Sequence, residues 1–156
     1  MKIRRLTVKD VPSTMPLIEQ FWNYLNGLHT AQGKDFDLCR ARRVLVRTMS
    51  CEGHFMYGAF LGKRMVGFTD FWILPDFFHG GNILNIQDLF VVEGMRGKGV
   101  GKALFDRTLQ VARQKKVVDI HVEVLDENVL AQRFYEKVGL REKMLMVQGQ
   151  VANLGT

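Results

Sequence analysis

The spacing of apolar positions changes several times along the chain, and each change marks an element. Residues 3–8 read as a first strand. Over residues 14–28, Leu17, Ile18, Phe21, Leu25 and Leu28 recur at helical spacing, with Asp10 placed to cap the helix and Pro12 in its first turn. Gly33 breaks the chain. A second helix is predicted over 37–49, with Leu38, Val44, Leu45 and Thr48 partly inward. The period then shortens: 54–61 and 65–74 read as strands joined at Gly62-Lys63-Arg64, a hairpin signal. Residues 75–82 form a Pro/Asp/His/Gly loop, and 83–92 a long apolar strand. After a glycine-rich turn at 94–101 come a helix at 103–114, a strand at 117–125 and a helix at 128–138 that Gly139 ends. One or two strands are expected over 140–151.

This order predicts a mixed α/β fold: a twisted mixed sheet of about six to seven strands flanked by about four helices. Only the strand–helix–strand stretch at 83–125 has to be a parallel crossover. The 156 residues contain no repeat, linker or low-complexity tract, so one domain spanning 1–156 is expected. Hydrophobic residues make up 47% and charged residues 24%, which fits a folded globular chain. No apolar run is long enough to span a bilayer and none follows the charged N-terminus as a signal core, so a soluble cytoplasmic protein is expected.

Charge and cysteine content add two constraints. The formal net charge of +6 suits an anionic partner, either nucleic acid or a phosphate-bearing nucleotide cofactor. Cys39 and Cys51 read as free thiols. Neither stands in a metal-ligand spacing with a histidine, so no zinc site is expected.

The turn Arg96-Gly97-Lys98-Gly99-Val100-Gly101 follows a strand and opens a helix. The first amides of a helix have no internal acceptor, and the dipole makes that end positive. Glycine lets backbone approach phosphate oxygens closely. With Arg96, Lys98 and Lys102 beside it, the segment is a candidate pyrophosphate cradle. It is not a P-loop: Gly97 and Gly101 are one residue too close, and Ala103 stands where Ser or Thr should be. Nor is it a dinucleotide fingerprint, since Lys102 takes the place of the third glycine.

The pattern R-x-x-G-x-G at Arg96, Gly99 and Gly101 resembles the coenzyme A loop of the GNAT family of N-acetyltransferases. The likeness extends to the preceding strand, Ile86-Gln87-Asp88-Leu89-Phe90-Val91-Val92, and to Asn128 with Phe134-Tyr135-Glu136-Lys137-Val138-Gly139-Leu140. It covers about residues 66–142, and within the family it is nearest in pattern to the diamine and thialysine acetyltransferase branch.

The resemblance implies acetyl-coenzyme A as co-substrate and direct transfer to an amine, with no metal required. It implies that Leu89, Phe90 and Val91 pair with the pantetheine arm and that the amides of Gly97, Lys98, Gly99, Val100, Gly101 and Lys102 hold the pyrophosphate. Asn128 and Ala131 are then expected along the pantetheine, with Tyr135 near the sulfur as acid. A phenol, titrating near 10, is a reasonable proton donor to a thiolate whose thiol titrates near 8.5. The base is less plain. An alkyl amine is neutral in only about one molecule in 2,500 at pH 7, a penalty of roughly 4.6 kcal/mol. Gln87 stands where the branch usually carries Glu, and an amide is no base, so Asp88 is the candidate, with His121 and Glu123 weaker. Residues expected around the acceptor are Glu19, Phe21, Trp22, Tyr24, Asp35, Asp37, Trp72, Asp76, Phe77 and Phe78, a set that suits a cationic substrate with an apolar portion. The preferred reading is transfer to a primary amine of a small molecule such as a polyamine or amino acid. A homodimer is common by the same resemblance. Acetylation of a peptide, a lysine or an aminoglycoside, a non-catalytic acyl-coenzyme A sensor, and a nucleic-acid binder are the rivals. No recognition helix or RNP-like strand supports the last, and no membrane partner is expected.

Overall fold

The computed structural model describes residues 1–28 and 36–144. Gly33, Asp35 and most of the strand expected over 140–151 lie outside these residues. The chain divides into two compact units, Met1–Val122 and Glu123–Thr156.

The first unit is a five-stranded sheet in the order β1-β2-β3-β4-β5. Its strands are β1 (Lys2–Arg5), β2 (His54–Leu61), β3 (Arg64–Asp76), β4 (Gly81–Val91) and β5 (Val117–Val122). Each of the first four runs antiparallel to its neighbour. β5 lies parallel to β4, the crossover the sequence required. Five strands stand among the described residues rather than six or seven. Of the strand expected over 140–151, only residues 140–144 are described, and these adopt no regular structure. At the other end, β1 stops at Arg5 because Asp10 gathers the chain after it. The Asp10 carboxylate accepts from Arg4 at 2.6 and 3.0 Å and from the Thr7 amide at 2.9 Å. It therefore closes a short 3-10 turn instead of capping the long helix, and the Arg4 hydrogen bond pulls its pKa down to about 2.

Three helices complete this unit: α1 (Val11–Gly27), α2 (Leu38–Thr48) and α3 (Val100–Gln114). Residues directly opposite in a ladder share a face. Phe68 and Phe90 are such a pair, and Phe21 of α1 lies on both, with ring centroids 6.2 and 5.3 Å away. That face is the α1 side. Gly67, paired with Val91, belongs to the other face, where the Leu104 side chain of α3 comes within 3.3 Å of the position a Cβ on Gly67 would take. Leu17, Met56, Phe68, Phe90, Val100 and Leu104 are among the buried residues of one apolar cluster. α2 turns less of itself inward than its sequence predicts: Leu45 is buried, whereas Leu38 and Val44 are exposed.

The second unit contains α4 (Val129–Val138). The Asn128 side chain accepts the Ala131 amide at 3.2 Å and so caps the helix start. Gln132 Nε2 donates to the carbonyls of Leu125 and Asp126, closing the preceding turn. Gly139 ends the helix at φ +106°, and the Leu140 amide returns to the Tyr135 carbonyl at 2.9 Å.

Candidate active site

The β3–β4 ladder positions the candidate base, Asp88. Its register places Asp70 directly opposite Asp88 and Phe71 opposite Ile86, so Gln87 is an extra residue, a β-bulge. The bulge leaves Gln87 exposed and turns Asp88 to the α1 face beside Asp70. This settles which of the two neighbours faces inward, which the chemistry of their side chains does not decide. Gln87 is out on the surface, and the carboxylate is inward.

Asp70 in turn is held by His54, whose imidazole is almost fully buried, with a side chain 1% exposed, and whose Nε2 contacts the Asp70 Oδ1. Trp72, opposite His54 in the β2–β3 ladder, brings its ring to 5.0 Å from the imidazole. A row of His54, Asp70 and Asp88 thus crosses three strands on one face. Burial, and then the charge of Asp70, push the Asp88 carboxyl up to about 7. Such a group is half ionised near neutral pH and can take up a proton there, which suits a general base.

Neither His54 nor Asp70 was found from the sequence. Asp70 did leave a signal: it is the one charge inside the run MVGFTDFWIL, and a carboxylate in an apolar strand needs a partner. His54 left none, because a histidine opening a strand is unremarkable until its partner is known. Of the weaker candidates, Glu123 lies beyond the end of β5, and His121 faces Asp119 at 3.4 Å.

The second feature is the exposed length of β4. β5 pairs with it only as far as Ile86 opposite Val122. Beyond that point Asp88, Leu89, Phe90 and Val91 are bonded to β3, and no strand among the described residues pairs with their other edge. A ligand with amide groups, such as a pantetheine arm, can hydrogen-bond to such an edge.

The third feature is the turn into α3. Gly97 and Gly99 adopt φ +72° and +80°, where side chains are rarely found. A Cβ built on either glycine meets nothing within 4 Å, so the turn is open as well as tight. Gly99 is the N-cap of α3 and offers no side-chain acceptor. The amides of Val100, Gly101 and Lys102 therefore face outward without intrahelical partners. Diphosphate oxygens fit this set of donors, so the turn passes as a coenzyme A cradle. The basic residues divide. Arg96 is turned back onto the body: its Nε donates to the Val91 carbonyl at 3.1 Å, and its guanidinium lies 4.4 Å from the Tyr24 ring centre. Lys102 is paired with Asp106 at 2.6 Å. Lys98 is exposed.

In the second unit, Asn128 and Ala131 bind one another at the start of α4. Tyr135 is buried, its ring 5.2 Å from that of Phe134.

The residues expected around the acceptor have varied uses. Phe21 is core, Tyr24 seats Arg96, and Asp37 caps α2 by accepting the Arg40 amide. Trp22 stacks on Phe36 at 5.0 Å. Asp76 holds the β3–β4 turn, and Phe77 and Phe78 stand exposed at its tip.

Residues 18–140 match the model of the acetyltransferase (GNAT) family. Glucosamine 6-phosphate N-acetyltransferase of Trypanosoma brucei brucei is 30% identical over 144 residues, 90% of this chain and 89% of that protein. Thialysine N-epsilon-acetyltransferase of Sus scrofa is 30% identical over 81 residues, 52% of this chain and 47% of that protein. An aminoglycoside N-acetyltransferase solved in complex with coenzyme A has the same fold, with a TM-score of 0.79 at 16% identity, covering 96% of this chain and 93% of that one.

Proposed function

The chain belongs to the GNAT acetyltransferase family and is an N-acetyltransferase, and on that premise we propose that its acceptor is a primary amine of a small molecule, with Asp88 as the base. The observation that carries the proposal is the carboxyl of Asp88, turned inward by the Gln87 bulge, set against Asp70 and poised near neutral pH.

The family uses acetyl-coenzyme A as donor. In the proposed reaction the amine nitrogen attacks the thioester carbonyl carbon. Attack makes that nitrogen cationic and far more acidic than the free ammonium, so Asp88 can take its proton directly or through a water. Main-chain donors along Leu89, Phe90 and Val91 stabilise the oxyanion. The carbon–sulfur bond breaks, and the Tyr135 hydroxyl protonates the leaving thiolate. An N-acetyl amide and free coenzyme A result. The amides from Gly97 to Lys102 hold the diphosphate throughout. We assign the whole of residues 1–156 to one acetyltransferase domain, in line with the family match that runs across both compact units.

Two relatives bear on the acceptor. One is named for an amino-sugar phosphate and the other for thialysine, an amino acid with a side-chain amine. Both are small-molecule amines. An amino-sugar nitrogen is flanked by electron-withdrawing hydroxyl groups and is less basic than an alkyl amine, so it asks less of a base that titrates near 7. Aminoglycosides are the second reading, on the strength of the amino-sugar relative that aligns along most of the chain.

The test is free-thiol release from acetyl-coenzyme A with alkyl diamines, amino acids, amino sugars and aminoglycosides, from pH 6 to 9.5. Turnover confined to one amine class, lost in Asp88→Asn, identifies the acceptor. Unchanged turnover in Asp88→Asn removes the base from the proposal.

A further inference from the structure

We propose that His79, Asp119 and His121 form a binding site for a divalent transition cation of the zinc class. The site lies in the first unit, where the turn between β3 and β4 meets β5, and shares no residue with those assigned to acetyl transfer.

The donor atoms already stand close to the spacing a metal requires. Nε2 of His79 and Nε2 of His121 each lie 3.4 Å from Oδ2 of Asp119. All three donor atoms fall within 4.8 Å of one another. Ligands about 2.0–2.1 Å from a tetrahedral zinc ion are separated by roughly 3.3–3.4 Å. Two edges of that tetrahedron are therefore present, and small side-chain adjustments supply the third. The fourth position is left for water.

Each of two donors has its other atom occupied, which fixes its direction. His79 Nδ1 lies 3.1 Å from Asp76 Oδ1, an acceptor that would hold the Nδ1 proton and leave the Nε2 lone pair for a metal. Asp76 is itself pinned, accepting the amides of Phe78 at 2.8 Å and His79 at 3.0 Å. Asp119 Oδ1 accepts the Ile120 amide at 2.8 Å, so Oδ2 is the oxygen presented to the imidazoles. A carboxylate behind a ligating histidine is the usual way of setting its tautomer and raising its basicity. Asp76 and Asp119 together also offset the charge of a divalent ion.

The backbone supports the arrangement. Asp119 and His121 are two apart on β5 and point to the same side. They are opposite Ile83 and Asn85 in the parallel ladder with β4. His79 is carried by the turn, and that turn is packed tightly to β5: a Cβ on Gly81 would meet the Val118 side chain at 2.9 Å. Two imidazoles with one carboxylate select zinc, cobalt, nickel or copper over magnesium and calcium, which prefer oxygen donors. No local signal announces the group, because the metal expectation was read from the cysteines, and His79 is about forty residues from its partners along the chain. Bound metal would staple the turn that bears Phe77 and Phe78 to the sheet.

The test is cobalt titration of the full chain, free of any affinity tag and dialysed against a chelator. One equivalent of Co²⁺ should give an intense visible band of low coordination number, displaced by Zn²⁺. His79→Ala and His121→Gln should each abolish the band while keeping the parent far-ultraviolet circular dichroism. Asp76→Asn should weaken binding by about 10- to 100-fold. Zn²⁺ should raise the melting temperature of the parent but not of His121→Gln. Absence of a band at millimolar cobalt, or a band and melting shift that survive in both histidine variants, overturns the proposal.

Discussion

Asp70 and Asp88 stand directly opposite each other in the β3–β4 ladder, so each carboxylate is part of the other's electrostatic surroundings. His54 holds Asp70 from the far side, which leaves Asp88 facing the charge of a fixed neighbour. Burial supplies the larger part of the rise in Asp88 and Asp70 the remainder. The consequences can be measured separately.

Asp88→Asn should lower kcat/KM for the preferred amine by about 100- to 10,000-fold. The parent should show an ascending limb in its pH–rate profile near 7, where Asp88 loses its proton. That limb should be absent from the residual activity of the variant.

Asp70→Asn removes the like charge but keeps an oxygen for His54. The Asp88 carboxyl should then ionise more easily, moving the ascending limb to lower pH by several tenths of a unit. A limb that moves to higher pH would show that Asp70 does not act on Asp88 through its charge.

Stability should respond to the same group with a defined sign. The folded Asp88 titrates near 7, against 3.8 in its reference state, so between those values the folded chain binds the extra proton. Stability must therefore fall as pH rises from about 4 to above 7. Urea unfolding at pH 5, 6, 7 and 8 should show this decline for the parent and a flatter line for Asp88→Asn. At pH 8 the variant should gain on the order of 2 kcal/mol relative to its difference at pH 5. Asp10 acts in another window and with the opposite sign. Its folded pKa is lowered to about 2, so its contribution is lost only as pH falls from about 4 to 2.

Gly99→Ala forces a side chain into φ +80° at the start of α3. Nothing crowds the new Cβ, so the cost is backbone strain of about 1–2 kcal/mol. On the roles proposed for the turn and for Asp88, KM for acetyl-coenzyme A should rise with little change in the pH profile.

Tyr135→Phe keeps the ring but removes the hydroxyl. If Tyr135 is the acid, kcat should fall by about 100-fold with KM for both substrates near the parent values. Equal loss with a thioester whose thiol is much more acidic would argue against that role, because such a leaving group needs no proton.

How much of this was readable beforehand depended on whether the signal was local. The glycine turn into α3 was legible because its glycines and basic residues lie in six consecutive residues, Arg96 to Gly101. β2 was read to its ends, His54 and Leu61, from the change of period and the hairpin signal at Gly62-Lys63-Arg64, and the family match agrees with the resemblance drawn from the turn and the Phe134-Tyr135 segment. The parallel pairing of β4 and β5 followed from the helix between them. What escaped was set by register. Whether Gln87 or Asp88 faces inward depends on one extra residue in a ladder with β3, and nothing near position 87 announces a bulge. The contact of His54 with Asp70 joins residues sixteen apart. Asp10 does stand at the N-cap of α1, but its carboxylate does not cap that helix, because Arg4 on β1 and Thr7 in the turn that follows claim it.

The bulge at Gln87 also makes β4 a strand with two phases. Ile86 shares a face with Phe71, whereas Asp88, two residues later, shares the opposite face with Asp70. In an unbroken strand those two positions would point the same way. The bulge therefore lets one strand serve two layers: Leu84 and Ile86 stay buried on the face of Phe71, while Asp88 is presented beside Asp70 on the face toward α1.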